Sequence, residues 1–265
     1  MTLRARVDLI ILGGGIAGLW TLARLRSAGY RCLLLEPRAL GGVQTLASQG
    51  IIHGGTKYAL SGRLTGSSQA IAAMPGLWRA CLDGRGELDL SRVRVLSEHQ
   101  YLWSDASLGS QLAGFFAGKL MRSRIRPVGG SERPEPLRGR AFRGSVYRLE
   151  EPVLDTASLA ADLARQLGED ARLLERPETL ELHTGPEPGL TLTPAGGEPL
   201  RVDCQRLILS AGAGNGPLLS RLGWQQPAQQ LRPLHMLMLR GRLPPFYAHC
   251  LGPSANPRLT VTSYP

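Results

Sequence analysis

A glycine-rich string near the start of the chain, GGGIAG at residues 13–18, constrains the fold more than any other feature of the sequence. The apolar run before it, residues 7–12, is typical of a buried parallel strand. The segment after it, residues 16–29, carries apolar side chains at helical spacing and ends in a glycine. A second apolar run, residues 31–36, completes a β-α-β unit of about thirty residues, so we expect a parallel sheet.

Each glycine of this G-x-G-x-x-G string has a physical task. Gly13 allows a tight turn, Gly15 lets the backbone approach a pyrophosphate, and Gly18 permits close packing of helix on strand. The pyrophosphate then lies at the helix N-terminus, where free N–H groups favour negative charge. Glu36 follows about twenty residues on, placed to accept hydrogen bonds from a ribose diol and to disfavour a 2′-phosphate. The pattern predicts a dinucleotide site for FAD or NAD, with a purely structural turn as the alternative.

The charge of the chain argues only weakly for a nucleic-acid partner. The formal net charge is +10, but of the 31 basic residues only Lys57 and Lys119 are lysines. The arginines are scattered, mostly singly, as GC-rich codon usage would produce. Their densest stretch, residues 122–143, is rich in proline and glycine and is expected to be a solvated loop. Composition therefore argues against nucleic acid as a partner.

Several classes of protein lack support in the sequence. The longest apolar run, residues 9–20, is shorter than the roughly twenty residues that a membrane helix needs. The four cysteines form no CxxC pair, which argues against a zinc ribbon or a disulfide framework and favours a cytoplasmic location, with a place peripheral to a membrane left open. We expect no metal site, because the histidines lack ligand spacing and HExxH does not occur, and without a GxSxG motif nucleophilic hydrolysis has no support.

The rest of the chain predicts mixed strands and helices without an internal repeat. A Gly/Ser/Thr-rich loop is expected from residue 40 to 66, and a helix over 69–82 in which Pro75 kinks the helix or begins a new turn. A capped amphipathic helix starts at Asp155 or Thr156. The remaining segments predict strands, at residues 92–104, within 109–149, in three runs after residue 170, at 207–215 and in the last forty residues, as in LHMLMLRG at 234–241.

Three segments give the sequence a family resemblance. The glycine string with Glu36-Pro37-Arg38, the stretch QTLASQGIIHGGTKY at residues 44–58, and the runs at 152–164 and 207–219 resemble the D-amino-acid-oxidase (DAO) superfamily of FAD-dependent oxidoreductases. Residues 44–58 are similar to the flavin-contact loop of L-2-hydroxyglutarate oxidases and dehydrogenases. HGGTKY is similar to the HGG-x-R-Y element of FAD-dependent glycerol-3-phosphate dehydrogenases.

The resemblance implies an α/β chain, α+β overall, with a glutathione-reductase-like, Rossmann-type FAD-binding domain and a discontinuous antiparallel-sheet substrate domain. The FAD-binding domain is expected over residues 1–90 and 150–225, and the substrate domain over 91–149 and 226–265. Chains of this family usually extend beyond the equivalent of Pro265, so we expect the substrate domain to be incomplete.

The resemblance also implies FAD contacts for a set of mostly small residues within these motifs. They are Gly13, Gly14, Gly15, Ile16, Ala17, Gly18, Glu36, Pro37, Arg38, Gln44, Thr45, Ser48, Gln49, Gly50, Ile52, Thr179, Ala211, Gly212 and Ala213. Thr179 is the nearest match to a backbone contact with adenine. Small residues along this loop let backbone amides approach the flavin edge, where the reduced ring develops negative charge.

Three residues are candidates for catalysis. His53 is expected beside the isoalloxazine, where it positions or tethers the flavin or positions the substrate, or else to be a structural histidine bonded to a backbone carbonyl. Lys57 is expected to face an anionic substrate group, or to be a solvated surface residue. Tyr58 could bond the substrate hydroxyl or simply pack.

The expected activity is transfer of a hydride to flavin N5 from a carbon bearing a hydroxyl or amine. The substrate is expected to be small and anionic, such as a 2-hydroxy acid or a polyol phosphate, with an amino acid or amine as the close alternative. The electron acceptor is left open among oxygen, a quinone and an electron-transfer protein. The sequence is also compatible with a flavin-dependent RNA-modifying enzyme or a truncated, non-catalytic flavoprotein module.

Overall fold

The computed structural model of this chain describes residues 3–55, 71–105, 125–168, 171–173, 179–232, 234–252 and 257–264, with backbone alone at 171–173. The candidate residues Lys57 and Tyr58 lie outside these ranges. The chain divides into two compact units. Unit 1 comprises Met1–Ser48 with Thr156–Met236, and unit 2 comprises Gln49–Asp155 with Leu237–Pro265.

The described residues form short strands and four α-helices, numbered here in chain order. The helices are α1 Ile16–Ser27, α2 Met74–Leu82, α3 Thr156–Leu167 and α4 Asn215–Arg221. The strands are β1 Leu3–Arg6, β2 Leu9–Leu12, β3 Cys32–Glu36, β4 Val95–Ser97, β5 Gln100–Ser104, β6 Ile125–Pro127, β7 Ser145–Leu149, β8 Val153–Leu154, β9 Ala171–Leu173, β10 Glu181–His183, β11 Gly189–Leu192, β12 Leu200–Asp203, β13 Arg206–Leu209, β14 Ala248–Cys250 and β15 Leu259–Val261.

Unit 1 is built on the parallel sheet that the first strands predict. Its order is β13-β2-β3-β9, with every pair parallel. Ile10, Ile11 and Leu34 are fully buried in it, as expected for strands covered on both faces. Helix α1 connects β2 to β3 and contacts α3, so the predicted β-α-β unit is confirmed. Gly29 has φ +88° just after the C-cap of α1, a conformation that favours glycine.

A second sheet of unit 1, in the order β1-β12-β11-β10, contains the three strands expected after residue 170 and one that was not expected. Strand β1 lies parallel to β12, and the other pairs are antiparallel. Leu190 and Val202 from this sheet pack with Ile10 and Leu12 of the parallel sheet in one apolar core. This core fixes the strand ends from which the glycine turn starts.

Unit 2 contains a five-stranded sheet in the order β15-β14-β5-β7-β6. Strands from residues 91–149 and from the end of the chain share it, but the expectation of a wholly antiparallel sheet is wrong, since β14 runs parallel to β5. One face packs Val146, Phe246 and Ala248 in an apolar core. A small antiparallel pair, β4 with β8, also belongs to this unit. Helix α2 begins at Met74 with Pro75 in its first turn, where a missing N–H costs nothing.

Two expectations differ from the structure. Residues 234–241 form no strand in the described chain, and Leu234 and Leu237 are 91% and 84% exposed. An apolar run becomes a strand only where a neighbouring strand pairs with its N–H and C=O groups, and among the described residues no strand pairs with this run. The unit borders also differ: residues 49–90 group with unit 2, and 226–236 with unit 1. Among the described helices, none has the length and apolar character to cross a membrane.

Candidate functional site

The glycine turn between β2 and α1 contains glycines with different surroundings. A Cβ on Gly13, which has φ +111°, would lie 2.5 Å from the backbone of Ala211, and one on Gly18 would lie 1.9 Å from the Gly13 carbonyl oxygen. These two glycines are required by the fold itself. Gly15 differs, because its ordinary φ of −74° accepts a side chain and an added Cβ would meet only the Thr45 hydroxyl, at 3.5 Å. The space in front of Gly15 is therefore open within the described chain.

The N-terminus of α1 faces this open space. Gly15 provides no side-chain cap, and the first turn of α1 contains no acidic residue. The Ile16 N–H donates to Thr45 Oγ1 at 2.9 Å. The N–H groups of Ala17 and Gly18 precede the first intrahelical bond, which the Leu19 N–H makes to the Gly15 carbonyl, so this end carries partial positive charge suited to an anion. Ile16 is half-buried and Ala17 is exposed.

The Glu36 carboxylate lies beside the same turn, at the end of β3. Its Oε2 accepts a hydrogen bond from the Gly14 N–H at 2.8 Å, and its Oε1 accepts one from the Arg38 N–H at 3.0 Å. Glu36 is half-buried, whereas Pro37 and Arg38 are exposed. The two backbone donors fix the carboxylate while each oxygen retains acceptor capacity.

The loop after β3 brings Thr45 to the turn. The Gly41 N–H donates to the Gly14 carbonyl at 2.7 Å, and the Ser48 hydroxyl donates to the Thr45 carbonyl at 2.8 Å. Thr45 is only 7% exposed, and its buried hydroxyl is satisfied by the hydrogen bond from the Ile16 N–H of α1. Gln44 is exposed and makes up the outer side of this loop.

A second turn, after β13, contacts the first. Ser210 donates its hydroxyl to the carbonyls of Leu12 and Gly13, at 3.1 and 3.0 Å, and Ala211 donates its N–H to Asn215 Oδ1 at 2.8 Å. Gly212 has φ +56°, and both it and Ala213 are exposed. The structure thus brings Ala211 to the glycine turn, with Gly212 and Ala213 directly after it. Thr179 precedes β10, in the other sheet of unit 1.

The remaining candidates that the structure describes belong to unit 2. Gly50 has φ +67°, and its carbonyl accepts the Leu154 N–H at 2.9 Å. The Ile52 N–H donates to the Pro152 carbonyl at 3.0 Å. Gln49 donates its side-chain amide to the Thr260 carbonyl at 3.4 Å. These hydrogen bonds hold the segment that immediately precedes His53.

His53 lies against a buried polar group that the sequence did not reveal. We call His53, Glu151, Gln100, His249 and Thr260 the His53 cluster. Nδ1 of His53 is 3.6 Å from Glu151 Oε2, an ion-pair distance rather than a hydrogen bond. The Gly54 N–H donates to Glu151 Oε1 at 2.7 Å, and the Gln100 amide donates to Glu151 Oε2.

Burial sets the electrostatics of the His53 cluster. Glu151, Gln100 and His249 are 5%, 1% and 2% exposed, whereas the His53 side chain is 29% exposed. Burial raises the pKa of Glu151, but the adjoining His53 ring, the Gly54 N–H and the Gln100 amide together favour the charged form more strongly, so the net pKa lies below 4.5. Glu151 is therefore an anion at neutral pH.

The two histidines of the cluster lie with their rings together. The His53 and His249 ring centroids are 5.2 Å apart with an interplanar angle of 32°. The His249 Nδ1 makes a hydrogen bond of 2.7 Å with Thr260 Oγ1. Sequence reasoning gave His249 an ordinary structural role and missed Glu151 and Gln100. In the sequence, Glu151 is only part of an acidic pair before a buried strand, and Gln100 is only a polar residue within a strand.

Four buried thiols, at Cys32, Cys81, Cys204 and Cys250, form no disulfide. Within the residues that the structure describes, no group of three or more His, Cys, Asp or Glu side chains is placed to hold a metal ion.

A family model described as FAD-dependent oxidoreductase, DAO, matches residues 8–256, nearly the whole chain. The chain belongs to the DAO family of FAD-dependent oxidoreductases. The family that the glycine string and residues 44–58 suggested is thereby confirmed, and FAD is the cofactor of this family. The mixed α/β fold with several sheets agrees with it.

Known relatives are similar over most of this chain. A probable FAD-dependent oxidoreductase of Pseudomonas aeruginosa, PA4991, is 51% identical over 259 residues, which are 97% of this chain and 65% of the relative. Its crystal structure matches with a TM-score of 0.78 at 45% identity, over 100% of this chain and 64% of that one. This chain therefore spans less than two thirds of the length of that relative.

More distant solved structures share the fold. Glycine oxidase from Geobacillus kaustophilus matches with a TM-score of 0.60 at 19% identity, over 82% of this chain and 58% of that one. FAD-bound L-α-glycerophosphate oxidase from Mycoplasma pneumoniae matches with a TM-score of 0.58 at 15% identity, over 82% of this chain and 56% of that one.

Proposed function

We propose that the protein binds FAD and oxidises a carbon bearing a hydroxyl or an amine on a small, anionic substrate. The observation that carries the proposal is the open approach at Gly15, beside the N-terminus of α1 and the Glu36 carboxylate. A pyrophosphate needs a glycine in its path, backbone N–H groups at the helix N-terminus and no competing carboxylate in the first helical turn. Thr45 uses the Ile16 N–H, and the N–H groups of Ala17 and Gly18 precede the first intrahelical hydrogen bond, in a first turn without an acidic residue.

Unit 1 would hold the nucleotide part of FAD. The pyrophosphate would lie against the N-terminus of α1, and Glu36 would accept hydrogen bonds from the ribose hydroxyls, which the two backbone N–H groups on its carboxylate pre-orient. We further propose that the unit has the glutathione-reductase-like arrangement. The roles of Ile16, Ala17, Pro37 and the other predicted contacts remain part of this proposal.

Unit 2 would supply groups that act on the substrate. FAD, when bound, accepts the hydride that leaves the substrate carbon. His53, half-covered and backed by a buried carboxylate, would accept the proton that leaves the hydroxyl or ammonium group. Lys57 and Tyr58, known here from sequence alone, would orient the substrate anion and its hydroxyl.

The choice between a hydroxyl and an amine substrate rests on sequence. The similarity of HGGTKY to glycerol-3-phosphate dehydrogenases favours a 2-hydroxy acid or a polyol phosphate. An amino acid or amine is the second candidate, since glycine oxidase and L-α-glycerophosphate oxidase both have a similar fold. A shared fold accommodates both chemistries and does not choose between them.

The absorption spectrum of the purified protein tests the proposal. We expect a bound-flavin spectrum after purification or after addition of FAD, and anaerobic loss of the oxidised-flavin band with one class among 2-hydroxy acids, polyol phosphates and amino acids. Each compound is paired with its uncharged ester or alcohol, which should reduce the flavin more slowly. Failure to retain or rebind FAD would contradict the cofactor site, and equal rates with charged and uncharged partners would contradict the anionic substrate.

A further inference from the structure

We propose that Glu151 is a positioning residue that holds the His53 ring with Nδ1 toward its carboxylate, so that Nε2 is the atom that takes the substrate proton. The proton step rests on the proposed function. The coupling of Glu151 to His53 rests only on contacts within unit 2 and can be measured without flavin or substrate.

The Glu151 carboxylate cannot turn away from His53. Its Oε1 is held by the Gly54 N–H at 2.7 Å, and its Oε2 by the Gln100 amide. With 5% exposure, the carboxylate has little water to replace these donors. A buried anion is tolerated only when such donors and a partner cation compensate for its lost hydration.

Rigid elements carry these donors. Gln100 begins β5 and pairs with Leu149 at the end of β7, two residues before Glu151. Gly54 is one residue after His53, so a single backbone segment both carries the histidine and donates to the carboxylate. Groups held by a sheet and by their own backbone keep a site geometry better than groups on free loops.

The His53 ring is in turn fixed on two sides. Its Nδ1 edge lies 3.6 Å from Glu151, and its face lies against His249, with 5.2 Å between centroids. His249 is itself held by its hydrogen bond to Thr260. Because a neutral imidazole carries one N–H, a carboxylate beside Nδ1 favours the proton there and leaves the lone pair on Nε2.

The proton step conserves atoms and electrons. The substrate O–H or N–H bond breaks, its electron pair stays on that atom to form C=O or C=N, and the proton bonds to His53 Nε2. The hydride from the same carbon would be taken up by FAD, when bound, as the proposed function requires. The resulting imidazolium lies beside the Glu151 anion, which stabilises it.

Other charged groups near the cluster bear on the titration. Among the described residues, His249 contacts the His53 ring, so a charge on either ring opposes a charge on the other. Arg79 of α2 donates to the Glu150 carbonyl, next to Glu151, and the Glu150 side chain pairs with Arg148. All variants compared below keep these groups, except that Glu150→Gln removes the charge of Glu150.

NMR of the purified protein with ¹⁵N-labelled histidine tests the coupling, with signals assigned through His53→Gln. In the unchanged protein we expect neutral His53 to be the Nδ1–H tautomer, and a dominant Nε2–H tautomer would overturn the inference. Glu151→Gln should remove this tautomer preference, since the amide offers both a donor and an acceptor to Nδ1.

The matched control is Glu150→Gln, which removes the same charge one residue away, where the side chain is 42% exposed. It should leave neutral His53 in the Nδ1–H tautomer, and Glu151→Asp should keep part of that preference. Equal loss of the preference in both glutamine variants would overturn the specific role of Glu151. If Glu151→Gln does not fold, the tautomer in the unchanged protein still decides.

The pH profile of flavin reduction tests the proton step. Glu151→Gln should displace the acid limb of the profile to lower pH, whereas a merely structural role would lower the plateau and leave the limb in place. A tautomer change seen by NMR together with an unchanged pH profile would overturn the proton-accepting role of His53. Flavin that no substrate class reduces would contradict the proposed function while the measured coupling stands.

Discussion

Substituting Gly15 separates cofactor binding from folding at the glycine turn. Its backbone angles, φ −74° and ψ −178°, are open to any residue, and the nearest atom to an added Cβ is the Thr45 hydroxyl at 3.5 Å. Gly15→Ala should therefore keep the fold without FAD. Alanine restricts the unfolded chain but is a poorer N-cap residue than glycine, so the free energy of unfolding should change by less than about 1 kcal/mol.

FAD binding should weaken, because the added methyl group fills the path by which the backbone approaches the pyrophosphate. Forcing a methyl group into a close-packed contact costs about 1–3 kcal/mol. That cost corresponds to roughly 5- to 150-fold weaker binding of FAD by Gly15→Ala. Gly15→Val places a β-branched side chain there and should abolish binding.

Two measurements on each variant suffice: urea unfolding of the protein without FAD, and titration of FAD fluorescence. Gly18→Ala is the control, since its Cβ would lie 1.9 Å from the Gly13 carbonyl oxygen and force the backbone to shift. It should lower the free energy of unfolding by about 1–3 kcal/mol or more. Stoichiometric FAD on Gly15→Val would refute the cofactor reasoning, and unfolding of Gly15→Ala like that of Gly18→Ala would refute the reasoning about open space.

Three further predictions concern charge. Glu36→Ala should weaken FAD binding by about 10- to 150-fold through loss of charge-assisted hydrogen bonds worth roughly 1.5–3 kcal/mol, measured by the same titration. Lys57→Met should slow flavin reduction at subsaturating substrate by about 10- to 150-fold with FAD content unchanged, and Lys57→Arg should recover much of the rate; equal rates in all three proteins would return Lys57 to the solvated surface. The pKa of Glu151 is lowered in the folded protein, so its contribution to stability is complete above pH 4.5 and is lost as the pH falls through the folded value. In urea unfolding, the free energy of unfolding should therefore fall less steeply with decreasing pH in Glu151→Gln than in the unchanged protein.

The parallel sheet of unit 1 could be predicted because its signals are local. Apolar runs that end in glycines, and Glu36 at the end of a run, specify β2, α1 and β3 within one stretch of chain. The parallel pairing of β14 with β5 could not, since periodicity shows that a segment is extended but not which distant strand it meets or in which direction. The exposed run at 234–241 has the same cause, since its composition contains no information about a partner.

The candidate site divides in the same way. Motif spacing identified the residues around Gly15, and the structure brings Glu36, Thr45 and Ala211 to them. His53 was found by resemblance, but its neighbours were not, because Glu151 and Gln100 approach it only once separate segments pair. A buried carboxylate is recognisable from its donors, and those donors come from the fold rather than from the order of residues.

The pairing of β13 with β2 has a consequence for how this protein is made. Strand β2 can pair with β13 only after the chain has been synthesised beyond Arg206. The Ser210 hydroxyl, which donates to the Gly13 carbonyl in the glycine turn, lies 197 residues after Gly13. At about 5–20 residues per second, a ribosome needs roughly 10–40 seconds to synthesise the chain from Gly13 to Ser210. During that time the nascent β-α-β unit exposes the apolar edge of β2, so chaperones that cover strand edges should raise the yield of this protein more than that of a chain whose neighbouring strands follow one another.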